Sequence, residues 1–388
     1  MMALLLSGCS EEPTKTFWNP AASSLPAPNI QSVTPANTAV AGIDTITIRG
    51  TGFSTKLAEN YVVFNSQPAQ VVSATPTEIR IVAPLLVSDS VVIRAAVQGA
   101  FDFSNKMAYQ LKPAVAVFGN LSSAVGSVET STSLTTDKDG SVYTGYSLNG
   151  LEAGVLKFSS TGTRTVFAPK VGGDLTGMKI GPGGYLFATR NIRAVYRFAL
   201  QGGAAPAAWA QVVGASFTDL DFDQSGNLWA GGNNTNIYRF AQDKSVTPFA
   251  FTGNIHSMRI YAGYLYFAAK TDAGEKIWRA QITASGLGTP ELYFDFASVR
   301  PQNIPQAITF SADGDLYIGM NSEEGIMVVS PSKTYVTPLS VYKKLFGKGV
   351  KSMAWGTGGI IYCSTVDGVL LKINVTGKTS APYYGATL

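Results

Sequence analysis

A tetrapeptide, Gly-x-[Val/Leu/Ile]-[Tyr/Phe/Trp], recurs six times along the chain. Its copies are Gly140-Ser141-Val142-Tyr143, Gly184-Tyr185-Leu186-Phe187, Gly226-Asn227-Leu228-Trp229, Gly263-Tyr264-Leu265-Tyr266, Gly314-Asp315-Leu316-Tyr317 and Gly359-Ile360-Ile361-Tyr362. The intervals between these glycines are 44, 42, 37, 51 and 45 residues. A unit of this length cannot bury an apolar face alone, so its copies must stack on one another. Each copy has the same neighbours. Upstream is a short strand-like segment such as Leu220-Asp221-Phe222 or Met353-Ala354-Trp355. Downstream is another, such as Val195-Tyr196-Arg197-Phe198 or Ile237-Tyr238-Arg239-Phe240, and then an outer one, Thr165-Val166-Phe167 or Thr247-Pro248-Phe249. Four strands per repeat make a propeller blade. Residues 114–388 therefore read as a six-bladed β-propeller. The last blade needs an edge partner. Val115-Ala116-Val117-Phe118 and Pro382-Tyr383-Tyr384 compete for that place.

Composition agrees with an all-β chain. Apolar residues make up 45% of the 388, aromatic residues 11%, and glycines number 40. No long segment carries a helical apolar period. The net charge of +4 is small, and its lysines and arginines are scattered rather than clustered, which argues against a nucleic-acid partner. Cys9 and Cys363 are the only cysteines and His256 is the only histidine. That excludes a disulfide framework, a zinc ribbon and a polyhistidine zinc site. No run of 18 apolar residues is present, so no spanning helix is expected.

Residues 28–113 alternate strands and turns. Ile30, Val33, Ile46, Ile48, Val62, Phe64, Val71, Ile79, Ile81, Val91 and Ile93 fall mostly at period two, as in a small sandwich. The segment resembles the IPT/TIG family of immunoglobulin-like domains. Pro28-Asn29-Ile30-Gln31-Ser32-Val33-Thr34-Pro35 looks like its first strand, and Gly42 with Thr45-Ile46-Thr47-Ile48-Arg49-Gly50-Thr51-Gly52-Phe53-Ser54 like its signature. Gly50 and Gly52 are expected at positive φ, with Phe53 plugging the sandwich end. The resemblance implies a spacer or protein-contact module. The later repeat resembles NHL-type propellers.

Residues 1–8 read as the remnant of a secretory signal. Leu6-Ser7-Gly8-Cys9 resembles a bacterial lipobox, in which Cys9 is lipidated. The apolar run is short and lacks a basic n-region, which predicts a start codon further upstream. Ser10-Glu11-Glu12 resembles the export signal of surface lipoproteins in Bacteroidetes-type bacteria. Residues 9–27, rich in Pro, Ser, Ala and Thr, are expected to form a flexible tether. Outer-membrane anchoring and surface exposure follow as expectations.

No residue set demands an enzyme, and no cofactor or metal is expected. Asp137-x-Asp139-Gly140, Asp221-x-Asp223 and Asp313-Gly314-Asp315 look like fragments of calcium loops but lack a terminal Glu at loop spacing, and read as hairpin turns. Lys179, Asp221 and Arg259 occupy equivalent inner-strand positions and predict a polar axial network. Ligands usually meet loops at a propeller mouth. The loops after the tetrapeptide offer Tyr146, Arg190, Asn191, Arg193, Asn233, Asn234, Lys270, Asp272, Asn321 and Glu323. The approaches to the inner strands offer His256, Gln306 and Lys351. Asn, Arg and Tyr suit a glycan or peptide. The expected function is non-catalytic binding of a glycan, peptide or protein partner at the membrane, alongside an outer-membrane uptake complex. The alternatives are a lactonase-like hydrolase or lyase, and a structural part of an extracellular assembly. Lactonase-type propellers hold a divalent metal on their axis. The equivalent positions here, Thr135, Lys179, Asp221, Arg259, Thr309 and Ala354, make a poor metal cage.

Overall fold

Every tetrapeptide glycine lies in the left-handed region, with φ of 81° at Gly140, 76° at Gly184, 78° at Gly226, 79° at Gly263, 90° at Gly314 and 76° at Gly359. Each closes the hairpin between the first two strands of a blade, a conformation that residues with a Cβ rarely adopt. The aromatic that follows is buried in every copy: Tyr143, Phe187, Trp229, Tyr266, Tyr317 and Tyr362. These rings fill the wedges between blades. Phe187, for example, meets Phe222 edge-on at 5.1 Å.

The computed structural model describes residues 24–121, 129–169 and 172–387. The lipidation expected at Cys9, the signal remnant and most of the tether lie outside them. The chain divides into two compact units, Met1–Ala39 with Asp44–Lys112, and Val40–Ile43 with Pro113–Leu388.

The first unit is a β-sandwich of eight strands. They run from Asn29–Thr34 through Thr45–Thr51, Asn60–Phe64 and Glu78–Val82 to Ser88–Val97 and Met107–Lys112, with Thr38–Val40 and Gln67–Thr75 completing the set. Ile30, Ile46, Ile48, Val62, Phe64, Ile79, Ile81, Val91 and Ile93 form its core, each 2% exposed or less. Val33 and Val71 are only half-buried. Both flank register shifts, at Ile30/Ser32 and at Val71/Ser73, and a bulge re-aims the side chains beside it. The two signature glycines differ in their reasons. Gly52 takes φ 78°, as expected. Gly50 does not have positive φ. A Cβ there would lie 1.9 Å from the Asn29 carbonyl oxygen, so close strand approach requires the glycine. Phe53 is buried beside it. Leu25, at the end of the expected tether, pairs with Ala100 in a parallel bridge and so belongs to this unit.

The second unit is a β-propeller of six four-stranded blades. The first is Glu129–Thr136, Val142–Leu148, Leu151–Phe158 and Arg164–Ala168, and the second is Gly177–Ile180, Leu186–Thr189, Ala194–Arg197 and Ala207–Gln211. The third and fourth are fused. Val246–Tyr261, 16 residues long, is the outer strand of the third blade and continues as the inner strand of the fourth. Asp219–Phe222, Leu228–Gly231 and Asn233–Phe240 complete the third, and Tyr264–Thr271, Gly274–Thr283 and Glu291–Phe294 the fourth. The fifth runs Pro305–Phe310, Leu316–Met320, Ile326–Val329 and Tyr335–Val336, and the sixth Val350–Trp355, Ile360–Thr365 and Leu370–Asn374. The edge of the sixth is closed by Val115–Val117, with Leu371 opposite Val117 and Ile373 opposite Val115. The competing segment goes elsewhere. Tyr383 leaves the edge and reaches the axis, where its hydroxyl donates to the Ile180 carbonyl at 2.8 Å.

Among the described residues the α-helices are four residues each, at Phe296–Val299, Lys343–Phe346 and Tyr384–Thr387. No helix there is long and apolar enough to cross a membrane.

Candidate functional site

The register makes the six inner positions equivalent. Thr135, Lys179, Asp221, Arg259, Thr309 and Ala354 each lie opposite the aromatic of their own blade's tetrapeptide. Their neighbours Leu134, Met178, Leu220, Met258, Ile308 and Met353 pack into the apolar clusters between blades.

Lys179, Asp221 and Arg259 are buried on the inner strands of three consecutive blades. Asp221 Oδ1 accepts from the Phe222 amide at 2.9 Å and Oδ2 from the Ile260 amide at 2.8 Å. Arg259 Nη1 stands 3.6 Å from Asp221 Oδ2. Asp219, one turn of the pleat away, accepts from its neighbour Leu220 and, across the blade gap, from the Ser257 hydroxyl and the Met258 amide. The two carboxylates thus satisfy backbone donors on the inner edge of the fourth blade, which that strand cannot satisfy itself. Burial holds the Asp221 carboxyl above its ordinary range, against the pull of Arg259 and Lys179. Lys179 is held down to about 8, chiefly by burial and then by Arg259, with Asp219 and Asp221 opposing. Two cations among carboxylates already occupied by amides do not fit a divalent metal. Among the described residues no group of three or more His, Cys, Asp and Glu is arranged to hold one.

The calcium-like fragments are turns. Asp137 Oδ1 accepts from the Asp139 and Ser141 amides, and Asp223 Oδ1 from those of Ser225 and Asn227. Asp223 Oδ2 also takes the Trp229 indole N–H at 2.8 Å. Ser311 does this job in the fifth blade, and Asp313 and Asp315 pair with Lys378.

The candidate ligand residues divide sharply. Asn233, Asn234, Lys270 and Asp272 line one pocket of about 730 Å³, at the strand ends remote from the tetrapeptide turns. Asn254, Thr252, Thr235 and Tyr238 line it too. Register explains why. Asn233 pairs with Asn254, Asn254 with Lys270, and Lys270 with Glu275. Directly opposed residues share a sheet face, so these four form a polar row across four strands. Asp272 sits in the two-residue turn that joins Thr271 to Gly274. Tyr238, edge-on to Phe217 at 5.6 Å, gives the pocket a half-buried ring. Asn254, Thr252, Thr235 and Tyr238 were not among the residues singled out from the sequence. The signal was there: the interval of 37 residues is the shortest, too short for a separate loop between outer and inner strands.

The other candidates are dispersed. Asn191, at φ 59°, accepts from the Ser216 and Thr218 hydroxyls, and Asn234 clamps the Ser216 backbone at both ends of its amide. Asn321 accepts from the Ile304 amide, and Glu323 pairs with Lys343 at 3.2 Å. Arg190 stacks over Tyr196 at 3.9 Å, while Arg193 beside it is exposed. Tyr146, Gln306 and Lys351 lie on strands of the first, fifth and sixth blades rather than on loops. Tyr146 packs half-buried in an apolar cluster, the Gln306 side-chain oxygen is buried without a partner, and burial lowers the Lys351 ammonium pKa against the pull of Asp174. His256 also lies on a strand, at a register shift between Ile255 and Ser257, with Nε2 3.0 Å from Glu275 Oε2. The expectation of loop positions fails for Asn233, Asn234 and Lys270 as well, because these strands extend past the ring as paired ladder.

Residues 28–112 match the IPT/TIG domain family. No curated protein matches the sequence. Among solved structures, an auxiliary nutrient binding protein from Bacteroides thetaiotaomicron is 10% identical, with a TM-score of 0.51 over 90% of this chain and 97% of that one. A protein of unknown function from the same organism is 14% identical, with a TM-score of 0.52 over 92% of this chain and 99% of that one. A gluconolactonase from Xanthomonas campestris is 13% identical, with a TM-score of 0.50 over 64% of this chain and 86% of that one. At these identities the likeness is one of fold.

Proposed function

We propose that this protein is a non-catalytic, lipid-anchored binding protein of the outer membrane, which captures an oligosaccharide in the pocket between its third and fourth blades. The observation that carries the reading is the polar row Asn233–Asn254–Lys270 beside Tyr238 in a pocket of about 730 Å³. Side-chain amides offer paired donor and acceptor to sugar hydroxyls, and a half-buried ring offers a stacking face. The fold likeness to an auxiliary nutrient binding protein supports it. So does an axis whose carboxylates are spent on backbone amides. The IPT/TIG domain serves as spacer or contact module, and an uptake complex in the outer membrane is the partner.

The test is an oligosaccharide array, followed by calorimetry on the hits, with the chain made soluble by Cys9→Ser. Asn233→Ala combined with Lys270→Ala is expected to weaken binding about tenfold or more, the loss of one or two hydrogen bonds including a charged one. Turnover of a lactone or ester, with no oligosaccharide retained, overturns the reading in favour of a hydrolase. The anchor has its own check. Cells grown with an alkyne-bearing fatty acid should yield labelled wild-type protein and unlabelled Cys9→Ser, and equal labelling of both removes Cys9 from the proposal.

A further inference from the structure

The chain enters the first unit beside an exposed apolar tip. Leu25 donates its amide to the Gly99 carbonyl at 2.7 Å and accepts from the Phe101 amide at 3.0 Å. The loop that follows strand Ser88–Val97 is therefore fixed to the point of entry. Phe101 on this loop is 83% exposed, Phe103 is 41% exposed, and Leu25 itself is 54% exposed. A single exposed leucine needs no explanation, but three large apolar side chains on one loop and its bridge do.

Positive charge borders the tip. The Arg94 guanidinium lies 4.7 Å from the Phe103 ring centroid, and exposed Lys106 follows on the chain. The ion pairs of this unit among the described residues are Arg49–Glu78 and Lys56–Glu59, so Arg94 and Lys106 keep their charges uncompensated. One acid stands among them. Asp102 is exposed, and its Oδ1 accepts from the Phe103 amide at 2.6 Å. Glu59, whose carbonyl takes the Gln98 amide, spends its carboxylate on Lys56 and Ser54.

Cys9 lies 16 positions before Leu25. A chain of that length reaches about 55 Å at most. With Cys9 anchored, the Leu25 end of the unit stays within that distance of the bilayer, and it is the end that bears the apolar tip.

We propose that this tip is a shallow membrane contact, an inference that rests on the anchor at Cys9. Phe101 and Leu25 enter the boundary between headgroups and acyl chains, and Arg94 and Lys106 meet lipid phosphates. Aromatic rings suit that boundary, and basic side chains suit its anionic headgroups. The apolar area is small, and even a whole myristoyl chain holds a protein only marginally. The tether makes the encounter intramolecular and so populates a contact that the free domain would not keep. The contact role of the IPT/TIG domain is then toward lipid.

The test couples the full chain through Cys9 to maleimide-bearing lipid in vesicles of phosphatidylethanolamine and phosphatidylglycerol with brominated acyl chains. Cys363, the other cysteine, is buried and stays unreacted. Tryptophan emission is read as the difference from the parent protein. Phe101→Trp is expected to lose about half or more of the added emission to bromine quenching, as for a ring roughly 5–10 Å into the boundary. Val213→Trp, at an equally exposed position of the second unit, is expected to lose none. No quenching at Phe101→Trp, or equal quenching at the two positions, overturns the proposal. So does a dimer of the Cys9→Ser chain that Phe101→Ser disperses, which assigns the tip to a second copy. The fatty-acid label decides the anchor and bromine quenching decides the contact, so the two fail separately.

Discussion

Asp221→Ala is expected to destabilise the propeller by about 3–5 kcal/mol, the cost of breaking a buried charged cluster from one side. The carboxylate is 1% exposed. It is not itself a comfortable charge, since burial raises its pKa. Its removal strands its partners instead. The Phe222 and Ile260 amides lose their acceptor, Arg259 loses its ion-pair partner, and Lys179 keeps only Asp219 of the two carboxylates that oppose its burial. Asp221→Asn retains one acceptor oxygen and should cost clearly less. Urea unfolding of the three proteins checks this, and a loss below about 1 kcal/mol for the alanine variant would mean that water replaces the carboxylate without penalty.

Stability is also expected to rise with pH between about 8 and 10. Lys179 is held at about 8 in the folded protein against 10.5 in the unfolded chain, first by burial and then by Arg259. Over that window the unfolded chain keeps the proton and the folded protein does not. The unfolded state then binds more protons, so unfolding free energy climbs with pH. The full span corresponds to about 3 kcal/mol. Tyrosines set the upper limit. Tyr109, Tyr293 and Tyr317 are pushed up to about 12 by burial, so above pH 10 the unfolded chain ionises first and stability falls. Lys333 is also lowered to about 8 but is partly open to solvent, so it adds less. Lys179→Met isolates the axial lysine. It should flatten the rise and stabilise the protein at neutral pH. Parallel pH profiles for Lys179→Met and the parent protein would show that the axial ammonium carries no such penalty.

Much of the candidate site was half legible. Asn233, Lys270 and Asp272 were found as polar residues after a tetrapeptide, but so were Asn191, Asn234 and Asn321, whose side chains brace nearby backbone. An asparagine that caps a turn and one that lines a pocket look alike in sequence, because both suit exposed, irregular backbone. Only the pairing of Asn254 with both Asn233 and Lys270 separates them. His256 was seen as the lone histidine, but its partner Glu275 lies two strands away.

The sequence by itself determined the six blades, the sandwich before them and the equivalence of six axial positions. These follow from local demands repeated at intervals: a glycine at positive φ, an aromatic to fill the wedge, strands that alternate faces. The tertiary structure alone decided which segment closes the ring, that the third and fourth blades share a strand, and that Tyr383 reaches the axis. Each is a choice between partners of similar local propensity. Long-range pairing and burial settle it, and neither is written in a short window of residues.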